Sequence, residues 1–103
     1  MKFQIPKAFT LLGRRWTVSR VSKIRFCGGL AHGITRHLNA SIELAKSPPS
    51  PDGELDVFCH ELIHAAIPDG TIDDPELEEE IANILAAALP DLVRALTGLD
   101  VTK

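Results

Sequence analysis

The sequence has no tyrosine, one tryptophan, one methionine and two cysteines, and its first 46 residues contain a single acid, Glu43. Each scarcity excludes something. Cys27 and Cys59 make neither a disulfide framework nor a paired-thiolate zinc motif, and the expectation is that both stay reduced in the cytoplasm. No apolar run approaches the roughly 20 residues that cross a bilayer. The opening Met-Lys-Phe-Gln-Ile-Pro-Lys is followed by no apolar h-region, so the expectation is a cytoplasmic protein made without a signal and with no membrane partner. Low complexity is confined to Ser47-Pro48-Pro49-Ser50-Pro51, which suits neither a helix nor a central strand and reads as a stiff connection.

What is present is a chain of 103 residues, 45% hydrophobic and 24% charged, which is one domain able to bury a core and too mixed in charge to be disordered. The charge is divided along the chain. Residues 1–46 hold nine bases against Glu43, while residues 47–103 hold thirteen acids and two bases. A basic half suits an anionic partner, and Arg14, Arg15, Arg20, Lys23, Arg25 and Arg36 would be its contacts with a nucleic acid. That partner ranks second here, because no aromatic residues interleave with the bases and the whole chain carries a net charge of −3.

Two textures flank the prolines. Before them, Trp16 and Val18 alternate with Arg15, Thr17 and Ser19, and Leu38, Ala40, Ile42 and Leu44 alternate with Asn39, Ser41 and Glu43. A period of two is that of half-buried strands, and Gly13 supplies a turn ahead of the first. Phe26 to Gly33 reads as a glycine-punctuated loop. After the prolines the period becomes helical. Asp52 caps a helix running to about Ala66, with Leu55, Cys59, Leu62 and Ala66 on its core stripe, and Pro68-Asp69-Gly70 ends it. A second helix starts at Asp73 or Asp74 with Pro75 in its first turn and runs to about Leu89. Leu77, Ile81, Ile84, Leu85 and Ala88, with Ala82, Ala86 and Ala87 between them, make it apolar nearly all round, the signature of a central helix. A short third helix from Asp91 closes the domain before Gly98. The expected fold is α+β: a small antiparallel or mixed three-stranded sheet from residues 1–46, packed on two long helices and a short C-terminal one from residues 52–98.

His60-Glu61-Leu62-Ile63-His64 is an H-E-x-x-H sequence on the first of these helices. One helical turn sets both imidazoles on one face, where they can share a metal ion, and places the intervening carboxylate beside the metal. A catalytic zinc takes three protein ligands and keeps a fourth position for water. Since no histidine follows His64 and no cysteine follows Cys59, the third ligand is sought among Glu76, Glu78, Glu79 and Glu80. Acids in a first turn complement the helix dipole, and that is the role expected of Glu76, Glu78 and Glu80. Glu79 alone has a side-chain amide four residues on, Asn83, in an alanine-lined patch, and such a pair can ligate zinc with one member and hold a ligand histidine with the other.

H-E-x-x-H followed by Glu-x-x-x-Asn on a second helix resembles the gluzincin metallopeptidases, and in particular the ImmA/IrrE-type peptidases of bacteria and phages. Thr10 to Val18 and Gly33-Ile34-Thr35 also resemble small phage-encoded proteins of this kind. The resemblance implies a single zincin-like domain over residues 1–103, zinc on His60, His64 and Glu79, Glu61 as catalytic base, Asn83 behind the ligands, and a protein or peptide substrate. Larger gluzincins stabilise the oxyanion with a late Tyr or His, which this chain lacks. His32 and His37 are the candidates to replace it, and an extended substrate is expected to pair along Asn39, Ser41 and Glu43. Two alternatives stand beside the peptidase: an inactive, metal-stabilised module that binds a protein partner, and the nucleic-acid binder.

Overall fold

Eight elements follow one another: β1 (Ala8–Leu11), β2 (Arg14–Val21), β3 (Ile24–Phe26), β4 (Gly29–Ala31), β5 (Gly33–Arg36), β6 (Ser41–Ala45), α1 (Gly53–Ala66) and α2 (Pro75–Val101). The computed structural model describes residues 4–26, 28–46 and 53–101, the side chains of residues 26 and 97–101 excepted. The proline connection, the Asp52 cap and Cys27 lie outside the described residues.

The alternation around Trp16 is realised in β2, where Trp16 and Val18 are buried and their neighbours are exposed. β1 pairs with β2 antiparallel across the two-residue turn Leu12-Gly13, both at positive φ (52° and 78°). That geometry follows the twist of the flanking strands, and glycine adopts it without steric penalty. β6 lies parallel to β2 on its other side, and β5 pairs antiparallel with β6, giving the order β1-β2-β6-β5.

The sheet is therefore four-stranded and mixed, with a separate two-stranded ladder of β3 and β4. The expected glycine loop, Phe26 to Gly33, holds Gly28 at φ 79° and β4, which pairs with β3, and it leads into β5, which at four residues is too short to announce itself by alternation. β6 has a neighbour on both sides. Ser41 and Glu43 thus stand on an interior strand and Asn39 in the turn before it, so they do not form the open edge expected of them. The physical reason is burial: Ile42 and Leu44 are the most deeply covered large side chains, which puts their strand at the centre. The open edges are β1 and β5.

One face of the sheet packs on α1. Trp16, Val18, Ala40, Ile42 and Leu44 meet Phe58 and Ala65 in a single core. Phe9 on β1 stacks on Trp16 (centroids 6.3 Å apart, planes at 6°) and meets Phe58 edge-on at 6.2 Å, tying the outer strand to the helix. Arg20 at the far end of β2 holds Glu54 in the first turn of α1 through two parallel bonds of 2.8 and 2.9 Å. The buried face of α1 carries Phe58, Cys59, Glu61 and Ala65, turned from the expected stripe so that Glu61 faces the sheet.

The turn after α1 is closed by the Thr71 N–H donating to the Pro68 carbonyl at 3.0 Å. Asp74 then caps α2, its Oδ1 accepting from the backbone N–H of Glu76 at 3.0 Å and of Leu77 at 3.4 Å, with Pro75 at the first helical position. Two expectations for this helix are corrected. It does not stop at Leu89 but runs through Pro90 to Val101, absorbing the expected third helix. Proline removes one N–H, orphaning the carbonyl of Ala86, and on an outer helix water can replace that bond. Nor is α2 central: it packs on α1 with Ala82 as its fully buried residue, while Ile84, Leu85, Leu92 and Leu96 are exposed. No helix among the described residues is long and apolar enough to cross a membrane.

Candidate metal centre

Because α1 and α2 are joined by the short connection 67–74, the second half of α1 faces the first turns of α2. This brings His60, His64 and Glu79 together. The His60 and His64 rings lie 4.8 Å apart, as residues one turn apart on a helix should. Their Nε2 atoms are 3.2 Å from each other, and Glu79 Oε1 lies 3.1 Å from His60 Nε2 and 2.7 Å from His64 Nε2.

His64 Nδ1 lies 2.6 Å from Glu78 Oε2. A neutral ring that donates from Nδ1 to this carboxylate presents the Nε2 lone pair to His60 and Glu79, whereas a ring protonated on both nitrogens donates to Glu79 as well. Two lone-pair nitrogens and a carboxylate oxygen within hydrogen-bond distance of one another repel unless a cation or a proton sits among them. Two donors bound to one zinc at about 2.05 Å with tetrahedral angles stand about 3.3 Å apart, close to two of the three separations here. Nitrogen, nitrogen and carboxylate oxygen, with the fourth side open to a cleft, also match the donor set of a catalytic zinc, so the residues fit the metal.

Glu78 was expected to serve the helix dipole, and the structure instead gives it to a candidate ligand histidine. A carboxylate behind a ligand imidazole fixes its tautomer and raises its basicity. Nothing local marked it: adjacent helical residues diverge by about 100°, and which acid meets the outer nitrogen of the ring and which the inner is set by how α2 crosses α1. Asn83 lines the cleft beside His60 and, among the described residues, makes no hydrogen bond to either histidine.

Glu61 is 8% exposed, the one buried charged residue among those described. Burial pushes its carboxyl above the usual range, further helped by the charge of Glu79 and opposed by a bond from Thr35 and by the charges of His60 and His64. For His64, burial works against the imidazolium, but bonds to Glu78 and Glu79 and the charges of Glu61 and Glu79 outweigh it and raise the pKa. For Glu79, burial acts upward and is overcome by the two histidines, so its carboxyl lies below the ordinary value.

A cleft passes over this group. Ala31, Gly33, His60 and Glu61 line both of its arms, one of about 650 Å³ walled by His32, Val57 and Ala87, the other of about 740 Å³ walled by His37, Asp69, Asp73 and Glu78. His32 and His37 thus open onto opposite arms, and His37 also meets Trp16 edge-on at 5.6 Å. Cys59, beside His60 in sequence, is a buried free thiol whose pKa is raised by burial and then by the charge of Asp56, as befits a core residue. Arg14, Arg20 and Arg36, counted among nucleic-acid contacts, are engaged within the chain by the Leu38 carbonyl, Glu54 and Glu43. No protein-family model, no curated protein and no solved structure matches this chain.

Proposed function

We propose that the chain is a zinc-dependent peptidase resembling the gluzincin and ImmA/IrrE-type enzymes, active in the cytoplasm on unfolded or extended protein segments. The observation that carries this is the convergence of His60 Nε2, His64 Nε2 and Glu79 Oε1 beside a buried glutamate that opens onto a cleft. Those three side chains would hold the zinc, which would supply Lewis acidity toward a scissile carbonyl and would lower the pKa of a water toward neutrality. Glu61 takes that proton and passes it to the leaving nitrogen, and its raised pKa suits a group that must both accept and release a proton. Glu78 holds His64 in the tautomer that presents Nε2. β5, the sheet edge beside α1, is the strand on which an extended segment can lie, its backbone groups giving affinity without demanding a sequence.

The test is metal analysis with a turnover assay. One equivalent of zinc lost in His60→Ala, and cleavage of unfolded casein abolished in Glu61→Gln with zinc retained, support the reading. Cleavage that persists in Glu61→Gln sinks it. A second reading, a metal-stabilised module that binds a protein partner, is favoured by the exposed Ile84, Leu85, Leu92 and Leu96 on α2. Turnover by the zinc-loaded protein excludes an inactive module.

A further inference from the structure

Glu61 has one hydrogen-bonding side chain against it among the described residues, and that side chain comes from the sheet. Thr35 Oγ1 lies 2.8 Å from Glu61 Oε1 and 2.9 Å from the carbonyl oxygen of Glu61 itself. One hydroxyl so placed stands between two acceptors, the end of the glutamate side chain and its own backbone carbonyl, and donates to one of them at a time. Threonine has one proton to donate, and with Glu61 ionised the stronger acceptor is the carboxylate. Oε1 is thereby occupied, and Oε2 is the oxygen left for a water.

The register of β5 explains how the hydroxyl gets there. Gly33 pairs with Leu44 and Thr35 with Ile42, both core residues of β6, so positions 33 and 35 lie on the face of the edge strand turned to α1. A Cβ at Gly33 would stand 2.6 Å from Val57 Cγ1, 3.0 Å from Glu61 Cγ and 3.4 Å from Glu61 Oε2. The bare backbone at 33 lets the carboxylate lie against the strand, and the hydroxyl at 35 catches it. Packing alone would be served as well by valine, which has the shape of threonine and no polar atom, so the hydroxyl is the part that packing leaves unexplained.

We infer that Thr35 is the positioning residue for the general base, its hydroxyl fixing Glu61 so that one carboxylate oxygen faces the cleft. This rests on the peptidase reading of the same site. Holding a catalytic group in a single orientation is worth large factors in rate, and a misplacement of about 1 Å can cost about 100-fold.

The experiment uses the zinc-loaded full chain. Thr35→Val, Thr35→Ala and Thr35→Ser are compared for zinc content, thermal midpoint, and kcat and KM on unfolded casein. The expected result is one zinc in every variant, KM within about twofold, kcat lowered about 10- to 100-fold in Thr35→Val and Thr35→Ala, and near wild type in Thr35→Ser. If Thr35→Val does not fold, the Ser and Ala pair, which differ only by the hydroxyl, decides the matter. Equal kcat in that pair overturns the inference. Side-chain mobility of Glu61, read by NMR relaxation in selectively labelled protein, separates this inference from the reading it rests on. If the wild type cleaves nothing, the peptidase reading fails, while a Glu61 side chain ordered in wild type and Thr35→Ser but mobile in Thr35→Ala still assigns the hold to the hydroxyl. Equal mobility in all three refutes it.

Discussion

Glu78 Oε2 accepts a hydrogen bond of 2.6 Å from His64 Nδ1, and this contact decides which nitrogen of the ring faces Glu79. Losing the carboxylate frees the tautomer and the ring orientation. Glu78→Ala is therefore expected to weaken zinc binding about 10- to 100-fold, while Glu80→Ala, on the exposed side of the same turn, leaves it unchanged. Competition titration with a chromophoric chelator measures both. Equal affinities would return Glu78 to a dipole role.

The metal-free protein should lose stability as pH rises through the His64 titration. Its pKa is raised in the fold, so the folded state binds more protons than the unfolded one above about 6.5, and the unfolding free energy falls with pH there. The contribution is fully present below that value. Urea midpoints of chelator-treated protein between pH 6 and pH 9 should decline, and the decline should be smaller in Glu78→Gln. Zinc affinity runs the other way, rising with pH as the competing proton leaves. A flat midpoint in the wild type would contradict the assignment.

Gly33→Ala should disturb both the fold and the base. The new methyl would meet Val57 Cγ1 at 2.6 Å and Glu61 Cγ at 3.0 Å, so those side chains or the spacing of β5 and α1 must shift. Overpacking of this kind costs about 1–3 kcal/mol. Chemical denaturation reads that loss, and turnover should fall by more than the unfolded fraction explains.

Pro90→Ala should stabilise α2 by up to about 3 kcal/mol, because it restores a helix donor to the Ala86 carbonyl and removes the ring clash. Helical ellipticity and the thermal midpoint should both rise. A drop in either would mean that the proline ring itself is needed for packing.

Comparing expectation with structure, the parts legible in the sequence were those fixed by local rules. The alternation around Trp16, the turn at Gly13, the Asp74-Pro75 start of α2 and the placing of His60 and His64 on one face each depend on a few neighbouring residues. What escaped depends on partners distant in sequence. Thr35 gave no local sign of its bond to Glu61, 26 residues away, and the order β1-β2-β6-β5 makes β6 interior although its own alternation would equally suit an edge. Glu78 and Glu79 are adjacent acids with identical propensities, and only the crossing of two helices gives them different work. Pro90 misled for the opposite reason: its local rule is strong, and an outer helix with solvent at hand tolerates the exception.

The mounting of α2 has a mechanical side. Glu78 and Glu79 lie in its first turns, Ala82 sits one turn further on, and beyond Ala82 its Ile84, Leu85, Leu92 and Leu96 are exposed. Were the helix to pivot at Ala82, it would act as a lever with its fulcrum near one end. From Ala82 to Leu96 the axis extends about 21 Å, so a tilt of about 10° at the fulcrum carries Leu96 about 4 Å. Occupancy of the short arm by metal would be legible at the tip of the long one, as a distance between labels on α1 and at Leu96.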